Sequence, residues 1–201
     1  VGQLYYSPKS RSVLWACASI AAIAEALKPN ATVDSVIGAI YDNFSKTDKR
    51  FTKFKSIVEI LDVVLKATAH CKDFRDIRVE FEKLFYGGEN IPCGRSHPDE
   101  VVTKGIAIFK MVGGNPWEAM IAGANCGRDS DCAAAVAAGL SGALSGAASI
   151  PKKMIDTVDD VTSRIPYTST KRTIRESSDG LYEAYMSRLN RMQHLISEMS
   201  Y

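Results

Sequence analysis

From Cys132 to Ile150 the chain reads CAAAVAAGLSGALSGAASI, a run without one charged side chain. Its length approaches that of a membrane span, yet Ala, Gly and Ser carry too little apolar surface to favour lipid over water. A soluble, closely packed helix is the better reading. Each glycine in a helix interior costs about 1 kcal/mol relative to alanine. Gly139, Gly142 and Gly146, with the small Ser141 and Ser145, therefore predict a face against which neighbouring helices pack tightly enough to offset that loss. Such a helix is central, and whatever opens it is held rigidly.

What opens it is CGRDSDC, Cys126 to Cys132. Residues two apart on a regular helix differ by roughly 200° about the axis, so Asp129 and Asp131 cannot share a face within the helix. At a helix mouth they can converge, with Asp129 at the cap, Asp131 in the first turn and Ser130 or Cys132 beside them. Hard divalent ions, Mg²⁺ above all, prefer such oxygen donors. The competing reading is that the two acids merely tie off free amides and complement the positive end of the dipole. That dipole also disfavours a cation, so at least two carboxylates are needed to hold one.

The rest of the chain is patterned for helices. Ile20, Ile23, Ala24 and Leu27 recur at helical spacing until Lys28-Pro29-Asn30 ends the segment. Thr32 caps a helix carrying Val33, Val36, Ile37 and Ile40, with Asp34 near its positive end. From Phe54 the pattern resumes through Ile57, Ile60, Leu61, Val64 and Leu65, and after a break near His70 through Phe74, Ile77, Phe81, Leu84 and Phe85. Residues 86–96, YGGENIPCGRS, form a turn-rich loop between helices. Pro98 falls at a first-turn position followed by Asp99 and Glu100, which makes His97 or Ser96 the cap of the next helix. That helix carries Val101, Val102, Ile106 and Phe109 and stops at Gly113-Gly114-Asn115-Pro116. A short helix covers Trp117 to Ala124, and a long apolar stripe, Leu181, Tyr185, Leu189, Met192, Ile196 and Met199, runs toward the C-terminus. No segment alternates as a strand does, so the fold class is all-α, read as a single domain over residues 1–201.

Charge and cysteine content limit the functions open to such a chain. Lys and Arg total 25 against 23 Asp and Glu, a formal net charge of +2. No broad field gathers nucleic acid or an anionic membrane, and an anion must be bound locally. The five cysteines, Cys17, Cys71, Cys93, Cys126 and Cys132, include no Cys-x-x-Cys pair and are odd in number, which points to a reducing, cytoplasmic setting. Two glycosylation-type triplets, starting at Asn30 and Asn43, carry little weight against that. The first residues lack the apolar region of a signal peptide, and the chain opens on Val1, in keeping with a segment upstream.

The stretch NCGRDSDCAAAVAAGLSGALSGAASIP resembles the C-terminal signature of the ADP-ribosylglycohydrolase family, in which an Asn, a glycine-bearing turn and Asp-x-Asp precede a small-residue helix. The likeness extends through RSHPDEVVTKGIAIF and PWEAMIAGAN, covering Arg95 to Lys152, and more loosely through SRSVLWACASIAAIAEALKPNATVDSVIGAIY. It implies an orthogonal multi-helix domain in which one or two Mg²⁺ ions, with Mn²⁺ as substitute, orient the ribose of an ADP-ribosyl group for cleavage of its glycosidic bond. Asp129 and Asp131 match the family's metal-binding aspartates, and Cys132 stands where a Thr or Ser often gives an oxygen; a thiol is a poor Mg²⁺ ligand. Asn125, Gly127 and Arg128 border the site, with Arg128 open to two readings, a phosphate partner or a structurally paired arginine.

The same resemblance marks a departure. The family's N-terminal Gly-Asp helix and Ser/Thr-Asp-Asp segment, with its candidate acid or base, have no match here, so no catalytic residue is assigned. A partner chain or upstream segment would have to supply them. The implied function is removal of ADP-ribose from modified protein or a small ADP-ribosyl compound; the alternative is a catalytically inactive domain that kept the fold, since sites are grafted onto folds. His70 and His194 read as structural or solvated, and Trp15 and Trp117 as core residues.

Overall fold

The computed structural model describes residues 11–44, 56–85, 97–167 and 171–199. The turn-rich loop with Cys93, the alternative cap Ser96, Phe54 and the last residue of the second glycosylation-type triplet lie outside these residues. Nine α-helices account for the described chain, and no strand occurs among the described residues. They are α1 Arg11–Ala26, α2 Val33–Asn43, α3 Ile57–Ala67, α4 Phe74–Phe85, α5 Pro98–Met111, α6 Pro116–Asn125, α7 Ser130–Ser145, α8 Lys152–Arg164 and α9 Ile174–Met199. The chain divides into two compact units, the break falling between Ser149 and Ile150.

Helix ends in the first unit follow local chemistry. Thr32 and Ser56 each build a reciprocal capping box, with Ser35 and Glu59 returning the hydrogen bond to the cap amide. His97 caps α5 through Nδ1, which accepts from the Asp99 amide, and Pro98 occupies the first turn. At the other end of α5 the Gly113 amide donates to the Lys110 carbonyl and the Gly114 amide to that of Phe109. This is a Schellman closure, and φ values of 60° and 78° at the two residues explain why both are glycine.

The core is the predicted one for α2, α3 and α4. Val36, Ile37 and Ile40, then Ile57, Ile60, Leu61 and Val64, then Ile77, Phe81 and Phe85 are buried. In α1 the sequence pattern pointed to the wrong face. Leu14, Trp15, Ala18, Ala22 and Ala26 are buried, whereas Ile20, Ile23 and Leu27 are exposed. Alanines allow α1 to lie close to its neighbours, and a periodicity count weighted toward bulky residues misses that face. Helix α5 is buried almost all round from Asp99 to Phe109 and packs on α1, α2, α3, α4, α6 and α7.

Helix α7 is central, packing against α1, α5 and α6, but not by the expected means. Among the described residues, a Cβ added at Gly139 or Gly142 would meet nothing within 4 Å, so these glycines do not face the packed side of the helix. The close approach is made by the alanine side of α7 against glycines of its partners. A Cβ at Gly123 of α6 would lie 2.4 Å from the Ala134 Cα, and one at Gly105 of α5 would lie 2.5 Å from Val136 Cγ1. The helix also ends sooner than its uncharged run, at Ser145, because Gly146 turns to a φ of 76°. The Ser145 hydroxyl donates to the Gly114 carbonyl and ties that end to the α5–α6 turn.

In the second unit Asp159 of α8 accepts from the Ile174 amide at the start of α9. Of the stripe seen in sequence, Leu181, Tyr185, Met192, Ile196 and Met199 are exposed and Leu189 is half-buried. Among the described residues no helix is long and apolar enough to cross a membrane.

Candidate metal centre

Only four residues separate α6 from α7: Cys126, Gly127, Arg128 and Asp129, the last of them the N-cap. Gly127 and Arg128 both adopt positive φ, 75° and 58°. The first is a natural glycine position; at the second an ordinary side chain costs about 1–2 kcal/mol. The Asp129 carbonyl accepts from the Ala133 amide to begin the helix, yet the Asp129 side chain makes no cap hydrogen bond to it. The competing reading, in which this acid ties off the amides of α7, is therefore not what the structure displays at residue 129.

The carboxylates are instead turned together. Oxygens of Asp129 and Asp131 and the Cys132 sulfur all lie within 4.8 Å of one another, with Asp129 half-buried and the other two exposed. The Cys132 thiol is hydrogen-bonded to the Asp129 side chain, which, with slight desolvation and the charges of Asp129 and Asp131, raises its pKa above the usual thiol value. The donor set, two carboxylate oxygens beside a single sulfur, fits a hard cation with water completing the shell better than a thiophilic metal.

The bordering residues are differently placed. Asn125 ends α6, exposed, and its amide donates to the Ile121 carbonyl. The Gly127 carbonyl accepts from Lys104 Nζ at 3.3 Å. Arg128 turns its guanidinium to Glu100, Nε to Oε1 at 2.5 Å and Nη2 to Oε2 at 2.7 Å, the geometry of the structurally paired reading. Lys104 Nζ adds a contact to Glu100 Oε1 at 3.0 Å and lies over the Phe81 ring.

Glu100 and Lys104 are buried with 0 and 1% of their surface exposed, and the sequence reading, which saw in Glu100 only a dipole-complementing acid, missed them. A signal was available: Glu100 and Lys104 are four apart, the spacing of a helical ion pair, in a segment otherwise built of Val, Ile, Ala and Phe. Asp99 was missed in the same way. It is buried and accepts from Arg11 Nε and Nη2 and from Trp15 Nε1. Trp15 is accordingly a core residue with its indole N–H satisfied, Trp117 is half-buried, and His70 and His194 are largely exposed.

Behind the turn, Cys126 is buried and its thiol donates to the Phe74 carbonyl. Burial pushes this thiol up to about 11, although Lys104 and Arg78 pull the other way.

No curated protein and no solved structure gives a significant match to the chain. The model of one family, described as ADP-ribosylglycohydrolase, matches residues 7–190. That match spans most of the chain, both units included, and the chain belongs to the ADP-ribosylglycohydrolase family.

Proposed function

We propose that this chain takes part in hydrolysis of a ribosyl glycosidic bond, releasing ADP-ribose from modified protein or from a small ADP-ribosyl compound, and that the reaction depends on a divalent cation held by Asp129 and Asp131. One observation carries the reading: an N-cap carboxylate that makes no cap hydrogen bond and instead gathers with a second carboxylate within 4.8 Å. A bound Mg²⁺ would supply Lewis acidity, polarising water or the ribose oxygens. Asp129 and Asp131 supply the negative charge that overcomes the positive end of α7. Their fixed position at the mouth of a packed helix orients the sugar rather than attacking it. Asn125 and Gly127 flank the carboxylates and are assigned to contact with the rest of the substrate. Arg128 joins them only if its guanidinium leaves Glu100. Glycoside cleavage also needs a carboxyl group to protonate the leaving atom or activate water, and no residue is assigned to that role.

Isothermal titration of Mn²⁺ into the chain and into Asp131→Ala tests the site. Binding lost in the variant supports it, and equal heats remove it. A second reading, ligand binding without turnover, is favoured by the sulfur of Cys132 beside the two carboxylates, a poor ligand for a hard cation. Incubation with ADP-ribosylated protein, with and without chelator, separates the two, because only turnover gives chelator-sensitive release.

A further inference from the structure

We propose that Glu100 is the positioning residue of this site, fixing the turn that carries Asp129 and Asp131 without touching a ligand itself; the inference rests on the reading of those aspartates as metal ligands. Both residues of the turn with positive φ are tied to this one carboxylate. Arg128 is held directly, by both arms of its guanidinium. Gly127 is held at one remove, because Lys104 Nζ bridges Glu100 Oε1 and the Gly127 carbonyl. The next bond closes the turn, the Ser130 amide donating to the Arg128 carbonyl at 2.9 Å, with Asp129 enclosed between them. Torsions at residues 127 and 128 set the direction in which the Asp129 side chain leaves the backbone. An arginine has no intrinsic preference for the left-handed region, so an outside anchor has to hold it there, and Glu100 is fully buried on the central helix α5.

Charge offers a rival account with the opposite sign. Glu100 faces two cations, Lys104 and Arg128, which leaves one positive charge in excess near a site meant for a cation. If the network acted only through space, removing the charge of Lys104 would tighten cation binding. If it acts by holding the turn, removing Lys104 releases the Gly127 carbonyl and weakens binding.

The test is a Mn²⁺ titration of the full chain followed by electron paramagnetic resonance, with helix content read by circular dichroism. Glu100→Gln is the direct variant, and because it strands the buried Lys104 and the half-buried Arg128, Arg128→Lys and Lys104→Gln accompany it. Arg128→Lys keeps the charge and loses the fork. Positioning predicts Mn²⁺ affinity about 10- to 100-fold lower in both accompanying variants with helix content unchanged. Wild-type affinity in folded Arg128→Lys, or tighter binding by Lys104→Gln, overturns it. Hydrogen exchange of amides 126–131 in metal-free protein separates this failure from failure of the metal reading. If wild type binds no Mn²⁺ but Arg128→Lys exchanges faster there and nowhere else, the anchor stands and the metal falls; unchanged exchange overturns the anchor.

Discussion

Arg128 reaches back 28 positions to grip Glu100, Nε to Oε1 at 2.5 Å and Nη2 to Oε2 at 2.7 Å, and so joins the start of α7 to the buried face of α5. The carboxylate shares a second cation, Lys104, at 3.0 Å. Breaking a buried pair by deleting one partner costs about 3–5 kcal/mol, because the charge left behind stays desolvated. Glu100→Leu strands two cations and is expected at or above that range. Arg128→Met leaves Glu100 still paired with Lys104, and its loss should be clearly smaller. Guanidinium denaturation of both variants checks the order, and equal losses would mean that Glu100 is not the centre of the network.

How much of this was legible beforehand depends on the kind of signal. Thr32, His97 and the Gly113-Gly114 stop were readable because caps and left-handed turns act through local chemistry, with donor and acceptor a few residues apart. The Asp129 and Asp131 cluster was readable for the same reason. The Asp99–Arg11 and Glu100–Arg128 pairs were not, since an acid after a first-turn proline satisfies the dipole whether or not it is buried, and Arg11 and Arg128 lie far off in sequence; only Lys104, four residues on, left a local signal. The buried face of α1 was hidden by its alanines, and the glycines of α7 were misread because composition does not say on which side of an interface the missing Cβ lies.

Glycine substitutions can measure that last distinction. A Cβ at Gly123 would fall 2.4 Å from the Ala134 Cα, a backbone atom with nowhere to go, so Gly123→Ala is expected to destabilise by about 1–3 kcal/mol through overpacking. Gly139→Ala meets nothing within 4 Å among the described residues and should stabilise by up to about 1 kcal/mol, the difference in helix propensity. Thermal melts of the two variants must move in opposite directions. A gain in both would place α6 farther from α7 than the structure has it.

Ser141 makes a third case on the same helix. Its hydroxyl is fully buried, with no hydrogen-bond partner among the described residues. A buried group left unsatisfied costs about 1–3 kcal/mol, and alanine removes the group while keeping the helix. Ser141→Ala should therefore raise the stability of the chain by about 1 kcal/mol. A measured loss would reveal a bond or a bound water that the hydroxyl makes in solution.

At the candidate metal centre the soft atom is Cys132, exposed and hydrogen-bonded to Asp129. Replacing sulfur by oxygen hardens the donor set without changing the carboxylates. Cys132→Ser is expected to bind Mg²⁺ several-fold more tightly, while Cd²⁺ binding falls or stays level, as hard and soft preferences require. Calorimetric titration with each ion reads both. Tighter Cd²⁺ binding by the serine variant would show that residue 132 does not face the cation.

Alkaline stability follows from Cys126. In the unfolded chain its thiol loses a proton near the ordinary 9.0, whereas in the native fold burial holds that proton to about 11. Between these values the unfolded state binds fewer protons than the native one, so the free energy of unfolding falls as pH rises. Below pH 9 both states are protonated and the contribution is constant. Tyr41, raised by burial and by its hydrogen bond to Asp62, adds a loss of the same sign that begins near its ordinary 10.0. Guanidinium titrations from pH 7 to about 11 should therefore give a steep decline in wild type and a shallower one in Cys126→Ala, with Tyr41→Phe flattening only the upper part. The cavity left by alanine lowers the whole curve, but the slope is the readout. Parallel slopes for wild type and Cys126→Ala would mean that this thiol ionises as readily in the fold as outside it, and that the turn ahead of Asp129 is open to solvent from behind.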